Sequence, residues 1–167
     1  MKGRQQSVFG CALVSFYAVV LTVAYGGTPV DMVEEPVLSP SHDRVAFYIV
    51  RKGDYQTRLW ILSLRTGESY DTGVNTSIGS FPSWSRDETS VLLVSDKDGI
   101  VNYHLGSKHT KTLLEPKGYG GLCSGRYSSA GLTIGYVDRD ANHELVLRGP
   151  AGRLTQLDKG VNEFCWT

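Results

Sequence analysis

Little in this sequence is in excess. Basic and acidic residues number 17 each and cancel, so no long-range field steers a polyanion or a charged membrane toward the chain, and nucleic acid is not an expected partner. The three cysteines are too few for a disulfide-built scaffold, and none stands at zinc-ligand spacing. Beyond the N-terminus no stretch repeats apolar residues at helical spacing, which argues against a helical core. No Gly-x-Ser-x-Gly elbow occurs: Gly121-Leu122-Cys123-Ser124-Gly125 has cysteine at its centre and precedes a strand where no strand-to-helix turn is expected. His42, His104, His109 and His143 lack ligand spacing and read as solvated polar residues. No catalytic constellation, metal or cofactor is therefore expected.

What remains is a chain of 167 residues with abundant aromatic and β-branched residues and 19 glycines. It reads as one all-β domain. Residues 1–27 differ from the rest: Lys2 and Arg4, then an apolar run from Val8 to Tyr25, then Gly26 and Gly27. That is the layout of a secretory signal, with a cut after Ala24. The run is also near the lower length limit for a membrane-spanning helix, so an uncleaved signal anchor is the alternative, and the membrane is expected only through this segment. Cys11 lies early in the apolar run and is a poor lipidation signal. Export places the chain in the periplasm or outside the cell, where Cys123 and Cys165 either pair as a disulfide or remain two buried thiols.

Four anchors carry an internal repeat: Leu38, Trp84, Tyr127 and Trp166, each followed by a hydroxyl residue, Ser39, Ser85, Ser128 and Thr167. Seven residues past the first three anchors stand Val45, Val91 and Ile134, and nine past them Phe47, Leu93 and Tyr136. Alternation along a strand puts each such pair on one face. Ala46, Leu92 and Gly135 between them are small or apolar, so this strand is expected to be buried on both faces. A polar turn, a third strand (Thr57–Leu64, Ile100–Leu105, His143–Leu147), a second turn and a short fourth strand follow in each copy. Four strands in about forty residues is the period of a propeller blade. After a linker at 28–33, the blades are expected at 34–78, 79–119 and 120–160, with 161–167 opening a fourth.

At these anchors the chain resembles the TolB-type, WD-like β-propeller repeat, whose blades open with an aromatic residue, then Ser-Pro-Asp-Gly and a buried strand. Pro36-Val37-Leu38-Ser39-Pro40, Phe81-Pro82-Ser83-Trp84-Ser85-Arg86-Asp87 and Arg126-Tyr127-Ser128-Ser129-Ala130-Gly131 are imperfect copies. His42 and Glu88 stand where the family has its glycine, which implies backbone strain if that position has positive φ. Together with the leader-like N-terminus and the missing catalytic constellation, the repeat is expected to make an exported, non-catalytic propeller that binds a protein or peptide or acts as a scaffold. The resemblance adds a second reading, the accessory propeller of a prolyl oligopeptidase-like hydrolase, and a third reading is an incomplete gene product. Rings of this kind close with typically four to eight blades, so the expected alternatives are closure by a second copy as a homodimer or continuation in a longer protein. The candidate binding positions are the turns between second and third strands, which bring Asp54, Tyr55, Asp96, Asp98, Asp138 and Asp140 to one rim.

Overall fold

The computed structural model describes residues 32–50, 57–77, 80–95, 97–116, 121–128, 130–131, 133–161 and 164. The signal or anchor segment at 1–27 lies outside them, as do Asp54, Tyr55, Asp96, Cys165 and Trp166. Among the described residues no helix is long and apolar enough to cross a membrane.

Among the described residues, twelve strands form three four-stranded antiparallel sheets in simple meander order. The first sheet holds β1 (Met32–Leu38), β2 (Arg44–Val50), β3 (Thr57–Ser63) and β4 (Ser69–Thr76). The second holds β5 (Ser83–Trp84), β6 (Ser90–Ser95), β7 (Gly99–His104) and β8 (His109–Leu114). The third holds β9 (Leu122–Tyr127), β10 (Ile134–Asp138), β11 (Glu144–Arg148) and β12 (Leu154–Asp158). Strands adjacent in sequence are neighbours in each sheet, so the chain needs no crossover inside a sheet.

Burial follows the repeat. Val45 to Ile49 and Val91 to Val94 are buried at every position, as expected for a strand covered on both faces. Alternation then decides what each side chain meets. Ala46 and Tyr48 of β2, with Leu59 and Ile61 of β3, pack against Trp84, Val91, Leu93, Val101 and Tyr103 of the second sheet. The opposite face of the second sheet, with Leu92, Val94 and Ile100, packs against Leu122, Tyr136 and Val146 of the third. The second sheet is thus the filling between its neighbours, and each sheet shields the next.

The innermost strands carry an irregularity that the residue pattern did not announce. In β1 the pairing with β2 shifts between Glu34 and Val37, and in β9 the pairing with β10 shifts between Cys123 and Arg126. Glu35 and Ser124, each three residues before its anchor, take φ of 51° and 53°. These are bulges at equivalent places in two copies of the repeat. In the second copy Pro82 has no N–H to give, and β5 is only two residues long.

Candidate functional site

The turn after each anchor serine is built three times in the same way. Ser39, Ser85 and Ser128 donate their N–H to the carbonyls of Arg44, Ser90 and Thr133 at 2.9, 2.9 and 2.8 Å. In return Arg44, Ser90 and Thr133 donate their own N–H to the three serine Oγ atoms at 3.3, 3.0 and 3.2 Å. The N–H of His42, Glu88 and Gly131 closes each turn onto the serine carbonyl at 2.9, 3.0 and 2.8 Å. Here φ is 62°, 57° and 72°, so the family's glycine position does require the left-handed region, and His42 and Glu88 hold it at a cost of about 1–2 kcal/mol each. The hydroxyl after each of the first three anchors is therefore the residue that ties the turn together, with no need of a bound ligand to explain it.

These turns share one rim with the turns between third and fourth strands, because successive antiparallel strands return to the same end. Leu64 and Leu105 donate N–H to Asp43 and Thr89 across that rim at 2.8 and 2.9 Å. Between the first two sheets the rim opens into a cleft of about 880 Å³. Ile61, Tyr70 and Leu105 contribute its apolar surface, while Arg44, Glu68, Arg86, Asp87 and Glu88 supply charge of both signs and His104 lines it as well. Glu88 ties the two sheets together here: its carboxylate accepts from Ser41 N–H and from Ser41 Oγ at 2.8 Å, and its carbonyl accepts from Arg44 Nη1 at 3.4 Å. Asp87 accepts from Ser85 Oγ at 2.7 Å and from Thr89 N–H and Oγ1 at 3.2 and 3.0 Å. These donors, led by the serine hydroxyl, hold its carboxyl below the usual range. A second opening of about 610 Å³ shares Arg86, Asp87 and His104 and runs on to Tyr127, Ala130 and Gly131 of the third sheet. Burial, partly offset by a hydrogen bond with Ser90, raises the Tyr127 phenol above its ordinary value.

Of the aspartates singled out in the sequence, Asp98, Asp138 and Asp140 are described and lie at the other rim. Asp98 is half-buried and exchanges hydrogen bonds with Ser95, its N–H donating to Ser95 Oγ at 3.1 Å and its Oδ2 accepting from the same hydroxyl at 3.2 Å. Asp138 is buried and accepts from Ala141 N–H at 3.3 Å. Asp140 is exposed. Asp54, Tyr55 and Asp96 fall outside the described residues. Among the described residues no group of three or more His, Cys, Asp or Glu side chains converges to hold a metal ion. Cys123 is a buried free thiol on β9, and its candidate partner Cys165 lies outside the described residues. Trp84 is a core residue, its indole N–H donating to Val37 O at 3.0 Å.

No family model matches the sequence, and no curated protein matches it. Solved structures do. TolB from Acinetobacter baumannii superposes with a TM-score of 0.62 at 18% identity, over 76% of this chain and 32% of that one. The chain folds as part of a β-propeller. The propeller domain of the Trilobed protease from Pyrococcus furiosus gives 0.57 at 15% identity, over 76% and 43% of the two chains. A prolyl endopeptidase gives 0.60 at 15% identity, over 79% of this chain and 23% of that one. The chain thus spans less than half the length of each, and the three sheets are three successive blades.

The rim residues Arg44, Tyr70, Arg86, Glu88 and His104 were not legible as a site. They come from different blades, at positions with no common spacing, and meet only because the blades pack side by side. The one available signal was the serine-turn repeat, which marks where such residues must gather.

Proposed function

We propose that the chain is a non-catalytic, exported propeller scaffold that binds a protein or peptide in the periplasm or outside the cell. The observation that carries this reading is the rim cleft between the first two blades, where an apolar floor lies among cations and anions in near-equal number. Such a surface suits a mixed-charge polypeptide better than a polyanion or a lipid. Glu88 and Asp87 are already committed to Ser41, Ser85 and Thr89, which favours recognition over proton transfer. In the same reading the exposed Asp140 and the half-buried Asp98 offer acidic contacts at the opposite rim, while the buried Asp138 supports its turn from within. A photo-crosslinking residue at position 86 should capture a polypeptide that a probe at the exposed Lys159 does not, and Arg86→Glu should weaken the reconstituted complex at least about tenfold. Peptide or ester turnover by the purified chain, abolished by one substitution, would overturn the reading.

A second reading is favoured by the likeness to a prolyl endopeptidase and to a protease propeller domain: three blades of the accessory propeller of a hydrolase. Light scattering separates the two. A discrete dimer of the full chain supports ring closure by two copies, and aggregation relieved by a catalytic partner supports the accessory role.

A further inference from the structure

A third cleft lies further along the same rim, between the outer strand β8 and the third blade; it shares Tyr127 and Gly131 with the second opening, but its charge is different. It has a volume of about 360 Å³. Leu113, Tyr127, Ile134 and Pro150 give it an apolar surface, and its charged lining residues are Lys111 and Arg148. Among the described residues no acid lines it, whereas the rim cleft sets Glu68, Asp87 and Glu88 against its cations. Arg148 donates from Nη1 to the carbonyl of Leu113 and so bridges the second and third blades. A guanidinium has five N–H donors, so this bond leaves others for an acceptor in the cleft. Lys111 stands exposed on β8.

One wall of the cleft is a strand edge. Among the described residues β8 is the last strand of its sheet, hydrogen-bonded to β7 on one side only. An open edge offers backbone donors and acceptors to an extended chain, which a hydrocarbon tail cannot use.

We propose that this cleft receives the C-terminal end of an extended peptide whose last side chain is apolar. That side chain lies on Leu113, Tyr127, Ile134 and Pro150, the carboxylate lies between Lys111 and Arg148, and the preceding residues follow the β8 edge. The volume accommodates one large apolar side chain with its carboxylate, and the unopposed positive charge selects the free acid over a neutral end. The two cations that would hold the carboxylate, Lys111 and Arg148, line neither the cleft between the first two blades nor the opening that runs from it to Tyr127.

The test uses the full chain and a fluorescein-labelled hexapeptide, Gly-Ser-Ala-Val-Ile-Leu, as the free acid and as the C-terminal amide, read by anisotropy. The acid should bind at least about fivefold tighter than the amide, since a hydrogen bond to a charged group outweighs a neutral one. Lys111→Glu, an exposed change whose folding is checked by an unchanged Tm, should erase that preference. Lys159→Glu, an exposed charge reversal of the same size outside the cleft, should leave it intact. Equal binding of acid and amide, or a preference that survives Lys111→Glu, overturns the proposal. Displacement of the acid peptide by dodecanoate at equal concentration overturns the choice of a peptide.

Discussion

The first and second blades meet differently from the second and third, although the same strands of the repeat face each other in both. At the first interface the large groups are Tyr48, Trp84 and Tyr103, with a polar tie at the rim where Glu88 accepts from Ser41. At the second, Leu92, Val94 and Ile100 lie against Gly125, whose missing side chain lets the innermost strand approach closely. Polar ties there run from Tyr127 N–H to Ser83 Oγ at 3.0 Å and from Arg148 to Leu113, with Arg126 over the ring of Phe81 at 4.9 Å. One repeat thus supports two packings, one filled by bulk and one by proximity. The anchor explains much of the contrast: Trp84 is 7% exposed and reaches the preceding blade, while Tyr127 is only half-buried.

The largest expected effect breaks the first interface. Trp84→Ala removes a buried indole and its hydrogen bond and should cost about 3–5 kcal/mol, whereas Tyr127→Ala should cost about 2. Urea unfolding of the two variants checks the ordering, and equal losses would mean that the interfaces are energetically alike.

High pH should act on the first interface next. Burial raises the Tyr48 phenol far above its ordinary value. A raised pKa in the folded state means that the contribution is complete below about pH 10 and is lost as pH rises beyond it. Stability should therefore fall in alkaline solution, and Tyr48→Phe should flatten that fall, measured as denaturation midpoints from pH 7 to 11. An alkaline limb unchanged in the variant would place its origin elsewhere.

Gly125→Ala sharpens the other side of the comparison. Its new Cβ would stand 3.1 Å from Val94 Cγ2, and overpacking of this kind costs about 1–3 kcal/mol. The same addition at Gly106 meets nothing within 4 Å and should change stability by less than about 0.5 kcal/mol. Thermal unfolding of the pair reads the difference directly.

The smallest effects separate backbone strain from side-chain ties. His42→Gly relieves a φ of 62° and should raise stability by about 0.5–1 kcal/mol. Glu88→Gly relieves the same strain but removes the acceptor of Ser41, so it should gain nothing or lose about 0.5 kcal/mol. If both gain equally, the Glu88 tie between blades contributes nothing.

Much of this architecture was legible because a propeller blade writes its geometry into a short period. The anchors, the hydroxyls after them and the apolar pairs seven and nine residues on located the first turns and the buried strands. The positive φ at His42 and Glu88 was foreseeable, since both occupy a position that suits glycine. The bulges at Glu35 and Ser124 were not, because no residue type demands a bulge. Trp84 could be placed in the core from its position alone, whereas Leu38, its counterpart in the first blade, is 44% exposed.

The sequence by itself determined the all-β character, the four-strand unit and the serine turn, because each depends on alternation and hydrogen bonds among residues close in the chain. Only the tertiary structure decided which face of each strand meets which neighbour and which charges gather in a cleft. Arg44 meets Glu88, and Arg148 meets Leu113, across a boundary between blades. Such contacts depend on how two sheets settle against one another, and no local pattern encodes that.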